Sequence, residues 1–193
     1  MNDSRINKEL QRGIRNFKYE QTETGIFFPE AQIAVGGVFS VTLNGQVVDE
    51  FHNLVVSQGL SHIVSVILGS ASKIGTWYVA PFAGNATPAN GWTAANFNSN
   101  ATEFTNYTEL TRRTFTPGSE SGGAINNLSA RAEFTIGSGV QDEIYGAGLI
   151  SASAKEATTG VLLSAGRLPS PRQNLQEGDV LGIGYSFTAT DAS

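Results

Sequence analysis

Alternation of apolar and polar positions dominates this chain. From Asp179 to Thr190, Leu181, Ile183, Tyr185 and Phe187 alternate with Gly182, Gly184, Ser186 and Thr188. That spacing predicts a strand with one buried face and one small, flat face. Ala132, Phe134 and Ile136 alternate in the same way with Arg131, Glu133 and Thr135, which predicts a strand over 130–136. Phe39, Val41 and Leu43 alternate with Ser40 and Thr42 and lead into Asn44-Gly45. This dipeptide supplies the left-handed conformations of a type I′ turn, so residues 31–50 read as a hairpin. Further strands are expected at Thr76–Phe82, Tyr107–Phe115, Glu143–Ser151 and Val161–Ser164. Pro81 places the end of the first of these at an edge or just outside the sheet. Gly146 and Gly148 leave one face of Glu143–Ser151 nearly bare, which permits a bulge or close approach by another backbone.

The period turns helical after an extended Asn53–Val56. Leu60, Ile63, Val64, Ile67 and Leu68 form one stripe, while His62, Ser65 and Val66 fall off it. Ser57 is the expected N-cap and Gly69 the stop. A short one-sided helix needs a surface to cover, so its stripe is expected to close one edge or end of the sheet structure. Near the start, Ile6, Leu10, Ile14 and Phe17 fall roughly on one helical face beside Arg5, Lys8, Arg12 and Arg15. Residues 1–30 read either as a partly disordered terminus or as an arm that orders against an acidic or apolar neighbour. The 84–101 segment reads as a long loop that Trp92 and Phe97 order, by docking on its own domain or on a partner. The fold class expected is mainly β: an antiparallel β-sandwich, jelly-roll-like, over 31–193, with one short amphipathic helix at about 57–68 and the N-terminal arm.

Composition narrows the chemistry. The 193 residues suffice for one substantial core and contain no cysteine, which removes disulfides, thiolate nucleophiles and cysteine zinc sites. Only 15% of residues are charged, a value that fits a Thr/Ser/Asn-rich β domain and equally a surface partly buried in an assembly. The net charge of −5 is uneven: residues 1–20 hold five basic residues against three acids, +2, so the remainder carries −7. An acidic body argues against duplex nucleic acid as a partner. The polar start carries no secretory signal, and no run approaches the roughly 18 apolar residues of a membrane span. The sequons at Asn85, Asn100, Asn106 and Asn127 read as chance in an Asn/Thr-rich chain.

Enzymatic readings find little support. The histidines are His52 and His62, the latter on the polar face of the helix as a surface residue. No zinc-protease, phosphate-loop or nucleophile-elbow motif is present. Ser164-Ala165-Gly166 has no base beside it. Asp142-Glu143 and the Glu177/Asp179 pair are the best carboxylate pairs, and solvated turn positions explain both. Arg112 and Arg113 point to opposite faces of a strand, as separate surface charges or one inter-subunit ion pair. No catalytic residue, cofactor or metal site is expected.

Seven features occur in order: Asn44-Gly45, Asn53 to Leu60, Trp77-Tyr78-Val79, Asn85 to Pro88, Thr111 to Gly118, Ile144 to Ala147 and Gly178 to Phe187. In that order and spacing, over about 33–189, the chain resembles a family of tailed-bacteriophage structural proteins with an N-L-V-x-x-x-G-L element. The resemblance implies a virion component, assembled in the host cytoplasm, and not an enzyme. It leaves the place in the particle open among head, neck and tail fibre. One reading is an accessory capsid decoration (cement) or head–tail neck subunit, a homo-oligomer bound to the major capsid protein or to neck and tail proteins. On that reading Arg5, Lys8, Arg12, Arg15 and Phe17 of the arm make the partner contacts. The alternative is a tail-fibre or receptor module that stacks a host surface glycan on aromatic residues, with Trp92 and Phe97 as the candidates. Neither reading involves nucleic acid or a membrane.

Overall fold

The computed structural model describes residues 20–22, 25–27, 33–139 and 143–191. The chain forms two compact units, 1–34 with 190–193 and 35–189. In the first, β1 (Glu20–Thr22) and β2 (Gly25–Phe27) pair antiparallel, with Glu20 opposite Phe27 and Thr22 opposite Gly25.

The second unit holds most of the sheet. Its strands are β3 (Ile33–Leu43, beginning in the first unit), β4 (Gln46–Val55), β5 (Trp77–Phe82), β6 (Arg113–Phe115), β7 (Ala124–Asn126), β8 (Ala132–Thr135), β9 (Ile144–Ile150), β10 (Leu162–Arg172) and β11 (Val180–Asp191). Two helices join them, α1 (Ser57–Ile67) and the five-residue α2 (Phe97–Ala101). The strands run in the order β6-β5-β9-β10-β4-β3-β11-β7, with β8 also on β11. The sheet is antiparallel and curls into a half-barrel. This is the mainly β, sandwich-like architecture that the alternation predicts.

β4 carries the sheet around its corner. Its first part pairs with β3, from Gln46 opposite Leu43 to His52 opposite Val38, and its last residues, Asn53 to Val55, pair with β10. Asn44 (φ 50°) and Gly45 (φ 81°) make the expected left-handed turn between β3 and β4. The Asn44 amide group fixes that turn to β11: Val180 N–H donates to Oδ1, and Nδ2 donates to Asp179, each at 2.9 Å.

Two hydrophobic clusters fill the unit. The larger lies inside the curl, where Phe39 stacks with Phe51 at 5.3 Å and with Tyr185 at 4.5 Å, and Phe115 meets Tyr185 edge-on. The second lies on the opposite face of β5, β9 and β10, where Phe82, Trp92 and Phe97 pack edge-to-face at 6.1–6.2 Å. β5 is therefore covered on both faces, which accounts for its unbroken apolar sequence. The bare face of β9 is occupied as its glycines allow. A Cβ on Gly148 would lie 2.9 Å from the Phe97 ring, and one on Gly146 would lie 2.1 Å from the Gly166 carbonyl.

Three expectations need correction. The Tyr107–Phe115 strand is only β6, because Tyr107 makes an isolated bridge to Ile136 and the chain then turns to bring Arg112 inside. The Val161–Ser164 strand runs on to Arg172. Pro169 and Pro171 are tolerated because they fall where the register between β10 and β9 shifts, between Arg167 and Arg172. The 84–101 segment contains α2. β7, with three residues and no alternation to announce it, has no counterpart in the sequence reading.

Candidate interaction surface

α1 is held to the sheet through its first turn. Its cap, Val56, is extended and makes no side-chain cap bond; Ser57, the expected cap, is the first helical residue. Backbone and side-chain partners do the holding instead. Ser57 N–H donates to the Asn90 carbonyl at 3.0 Å and Val56 N–H to that of Leu163 at 3.2 Å. The Gln58 Oε1 accepts from Ala94 N–H at 2.9 Å and from Leu162 N–H at 2.8 Å, so one amide side chain ties the 84–101 segment and β10 to the helix. Gly59 then lies against β10 so closely that a Cβ there would be 2.2 Å from the Leu163 carbonyl oxygen.

That anchor sets the rotation of the helix. Gly59, His62, Ile63 and Val66 face the body; Gly59 is buried, the other three are half-buried, and the His62 ring meets Trp77 edge-on at 5.9 Å. The expected burial of the stripe is therefore wrong for most of its members. Leu60, Val64, Ile67 and Leu68 are 42, 58, 70 and 85% exposed. Serines 57, 61, 65 and 70 flank them, also exposed, and no Asp, Glu, Lys or Arg occurs from Phe51 to Ser72. The result is an uncharged apolar helix face open to solvent. Two overlapping helical patterns occur in this segment, and the tight fit of Gly59 on β10 selects the weaker one for the interior. Gly59 in the first turn, at i with His62, Ile63 and Val66 at i+3, i+4 and i+7, is the sequence signal for that choice.

The groups with catalytic potential are engaged elsewhere. Arg112 is buried, not a surface charge. Its Nε and Nη2 donate to the two Glu103 carboxylate oxygens at 2.8 and 2.6 Å, with both side chains fully buried, and its Nη1 donates to the Ala152 carbonyl. Glu103 also accepts from Glu156 N–H at 2.8 Å. Beside this pair, Lys155 Nζ donates to the Thr105 and Tyr107 carbonyls and sits 3.6 Å from the Tyr107 ring centroid. Burial lowers the Lys155 pKa, against the pull of Glu109 and Glu103, and burial likewise raises that of Tyr107. The whole group fastens the 103–113 segment to 152–157, with Glu103, Tyr107 and Arg112 buried and Lys155 half-buried. Arg113, its neighbour, is exposed.

The remaining candidates are similarly tied. Ser164 Oγ donates to the Tyr185 hydroxyl at 3.1 Å inside the core, and Asn53 Nδ2 donates to the same oxygen at 2.8 Å. Asp179 accepts from Asn44 and from Gln176 N–H, which lowers its pKa. Glu143 accepts from the Tyr145 hydroxyl and the Gln173 amide, while Asp142 lies outside the described residues. Among the described residues no group of His, Cys, Asp and Glu could hold a metal ion, and no helix is long and apolar enough to cross a membrane. A shallow cleft of about 480 Å³ opens between β6 and β8, lined by Arg113, Thr114, Thr116, Ser129, Arg131 and Glu133. Arg131 donates to the Leu128 carbonyl and the Ser40 hydroxyl, and with Arg113 and Glu133 beside it the lining carries two positive charges and one negative.

Of the residues singled out as partner contacts, Arg5, Lys8, Arg12, Arg15 and Phe17 lie outside the described residues. Trp92 and Phe97 are a correction: both are buried in the second cluster, because Gly146 and Gly148 open the space on β9 that the Phe82 and Phe97 rings fill. The 84–101 segment docks on its own domain. Comparison with protein-family models and with curated proteins finds no match for this chain.

Proposed function

We propose that this chain is a non-enzymatic structural component of a tailed-bacteriophage virion, an accessory capsid decoration or head–tail neck subunit that works as a homo-oligomer. The observation that carries this reading is the open, uncharged apolar face of α1, on a body in which the buried Arg112–Glu103 pair and the Ser164 and Tyr185 hydroxyls are committed to internal bonds. The order of motifs across 33–189 points the same way. Such a body is suited to assembly through many modest contacts. On a lattice, repeated weak contacts raise avidity by roughly 10²–10⁴ over a single one. The major capsid protein, or neck and tail proteins, are the partners, and the basic residues Arg5, Lys8, Arg12 and Arg15 form the contact on the acidic side of such a partner. A receptor module would need glycan-stacking rings at the surface, and the Trp92 and Phe97 rings are buried.

Cryo-electron microscopy of intact particles tests the proposal. The expected result is density for this β-rich body over the shell or as a ring at the unique vertex. Purified particles that lack the chain by mass spectrometry would overturn it.

A further inference from the structure

We infer that the open face of α1 is a self-association surface, and that its occupant is α1 of a second copy of this chain. The inference deepens the homo-oligomer part of the proposed function and does not depend on a place in a virion. Its starting point is spacing. Leu60, Val64 and Ile67 are separated by four and then three residues, which is the d-a-d seam along which two helices interlock side chains. Ala71, also exposed, continues the spacing past the helix end. A seam of this kind is complementary to itself.

Charge selects the occupant. The molecule carries −5, so two copies repel through most of their surfaces. The 51–72 segment has no formal charge and is where two copies meet with least opposition. The basic arm is the other apolar segment that could lie here, yet nothing on this face complements its arginines and lysines. An acidic or basic foreign partner likewise finds no counter-charge. Serines at 57, 61, 65 and 70 flank the stripe and permit close approach of a second helix.

Area sets the strength. The four side chains expose on the order of 400 Å², the scale at which an apolar patch on a monomer is functional. Two faces together bury about 800 Å², below the ~1,200–2,000 Å² of stable complexes. The pairing is therefore weak in dilute solution and effective between copies held side by side.

The absence of cysteine makes a direct test available, because a single introduced thiol is unique in the chain. Purified full-length Val64→Cys and Ile67→Cys are oxidised at micromolar concentration and compared with Leu110→Cys, a still more exposed site outside α1. The expected result is disulfide-linked dimer for the α1 variants and little for the control. Sedimentation velocity gives the second measurement. The wild type should associate with rising concentration, the Val64→Glu/Ile67→Glu variant should associate at least roughly tenfold more weakly, and Leu110→Glu should match the wild type. Because positions 64 and 67 are exposed, thermal melting of the variants should be unchanged. A wild type that stays monomeric without cross-linking, association that survives the double glutamate, or cross-links that form equally at Leu110 overturns the inference. So does association that charge reversal of Arg5, Lys8, Arg12 and Arg15 abolishes, since the occupant is then the arm. Particles lacking the chain would remove the virion reading and leave this result untouched.

Discussion

Arg112 and Arg113 are neighbours in sequence and end in opposite surroundings, one fully buried against Glu103 and one in solvent. Removing one member of a buried pair strands the other's hydrogen-bonding groups without water, at about 3–5 kcal/mol. Glu103→Gln and Arg112→Met should each destabilise by that amount in urea denaturation. The double variant should lose less than the sum, because no charge is then left unpaired. Single variants within about 0.5 kcal/mol of wild type would refute the structural role. Asp179 offers a pH test. Its folded pKa lies below the ordinary 3.8 because Asn44 and the Gln176 amide stabilise the carboxylate. Its contribution is complete above pH 3.8, where the group is ionised folded and unfolded alike, and is lost as pH falls toward the lower folded value. Asp179→Asn should therefore lower Tm at pH 6, with the difference from wild type shrinking below pH 3.8; a constant difference would count against it. Neither role was legible beforehand. Sequence periodicity reports which face a strand residue occupies, and Arg112 is not in a strand.

At the scale of elements, α1 departs from its expected role, while the 84–101 segment docks on its own domain, one of the two placements expected of it. The helix was expected to bury its stripe and instead exposes most of it; the segment expected to be a loop carries the Trp92 and Phe97 rings into the second core. Both outcomes turn on glycines. Gly59→Ala tests the first. In a free helix the change stabilises by up to about 1 kcal/mol. Here the new Cβ meets the Leu163 backbone, and overpacking of about 1–3 kcal/mol opposes that gain, so the measured change should be destabilising. A rise in Tm would show that α1 is not seated on β10 as described. Trp92→Ala should cost about 3–5 kcal/mol and raise hydrogen exchange over 84–101, the behaviour of a core residue. Unchanged stability would return Trp92 to the surface.

For the molecule as a whole, the basic arm supplies the remaining prediction. Replacing Arg5, Lys8, Arg12 and Arg15 by glutamate should leave the melting of the body unchanged and reduce the amount of chain in purified particles; undiminished incorporation would end the tethering role. The amino-acid sequence by itself determined the local terms. The β3–β4 turn follows from an Asn-Gly dipeptide, which readily adopts two left-handed residues, set between two strand-like runs, and the buried faces of β8 and β11 follow from a strict period of two. The mainly β class and the existence of one true helix over 57–67 follow equally from period. Tertiary structure decided what depends on a second segment. It placed Arg112 with Glu103 and seated Trp92 against Phe82 and Phe97, whose rings fill the space left by Gly146 and Gly148. It also turned α1 so that Gly59 meets β10 and the larger apolar stripe faces outward. The physical reason is that a periodic pattern gives the residues that share a face, whereas the fit against a neighbouring backbone, within a few tenths of an ångström, selects which face is inward.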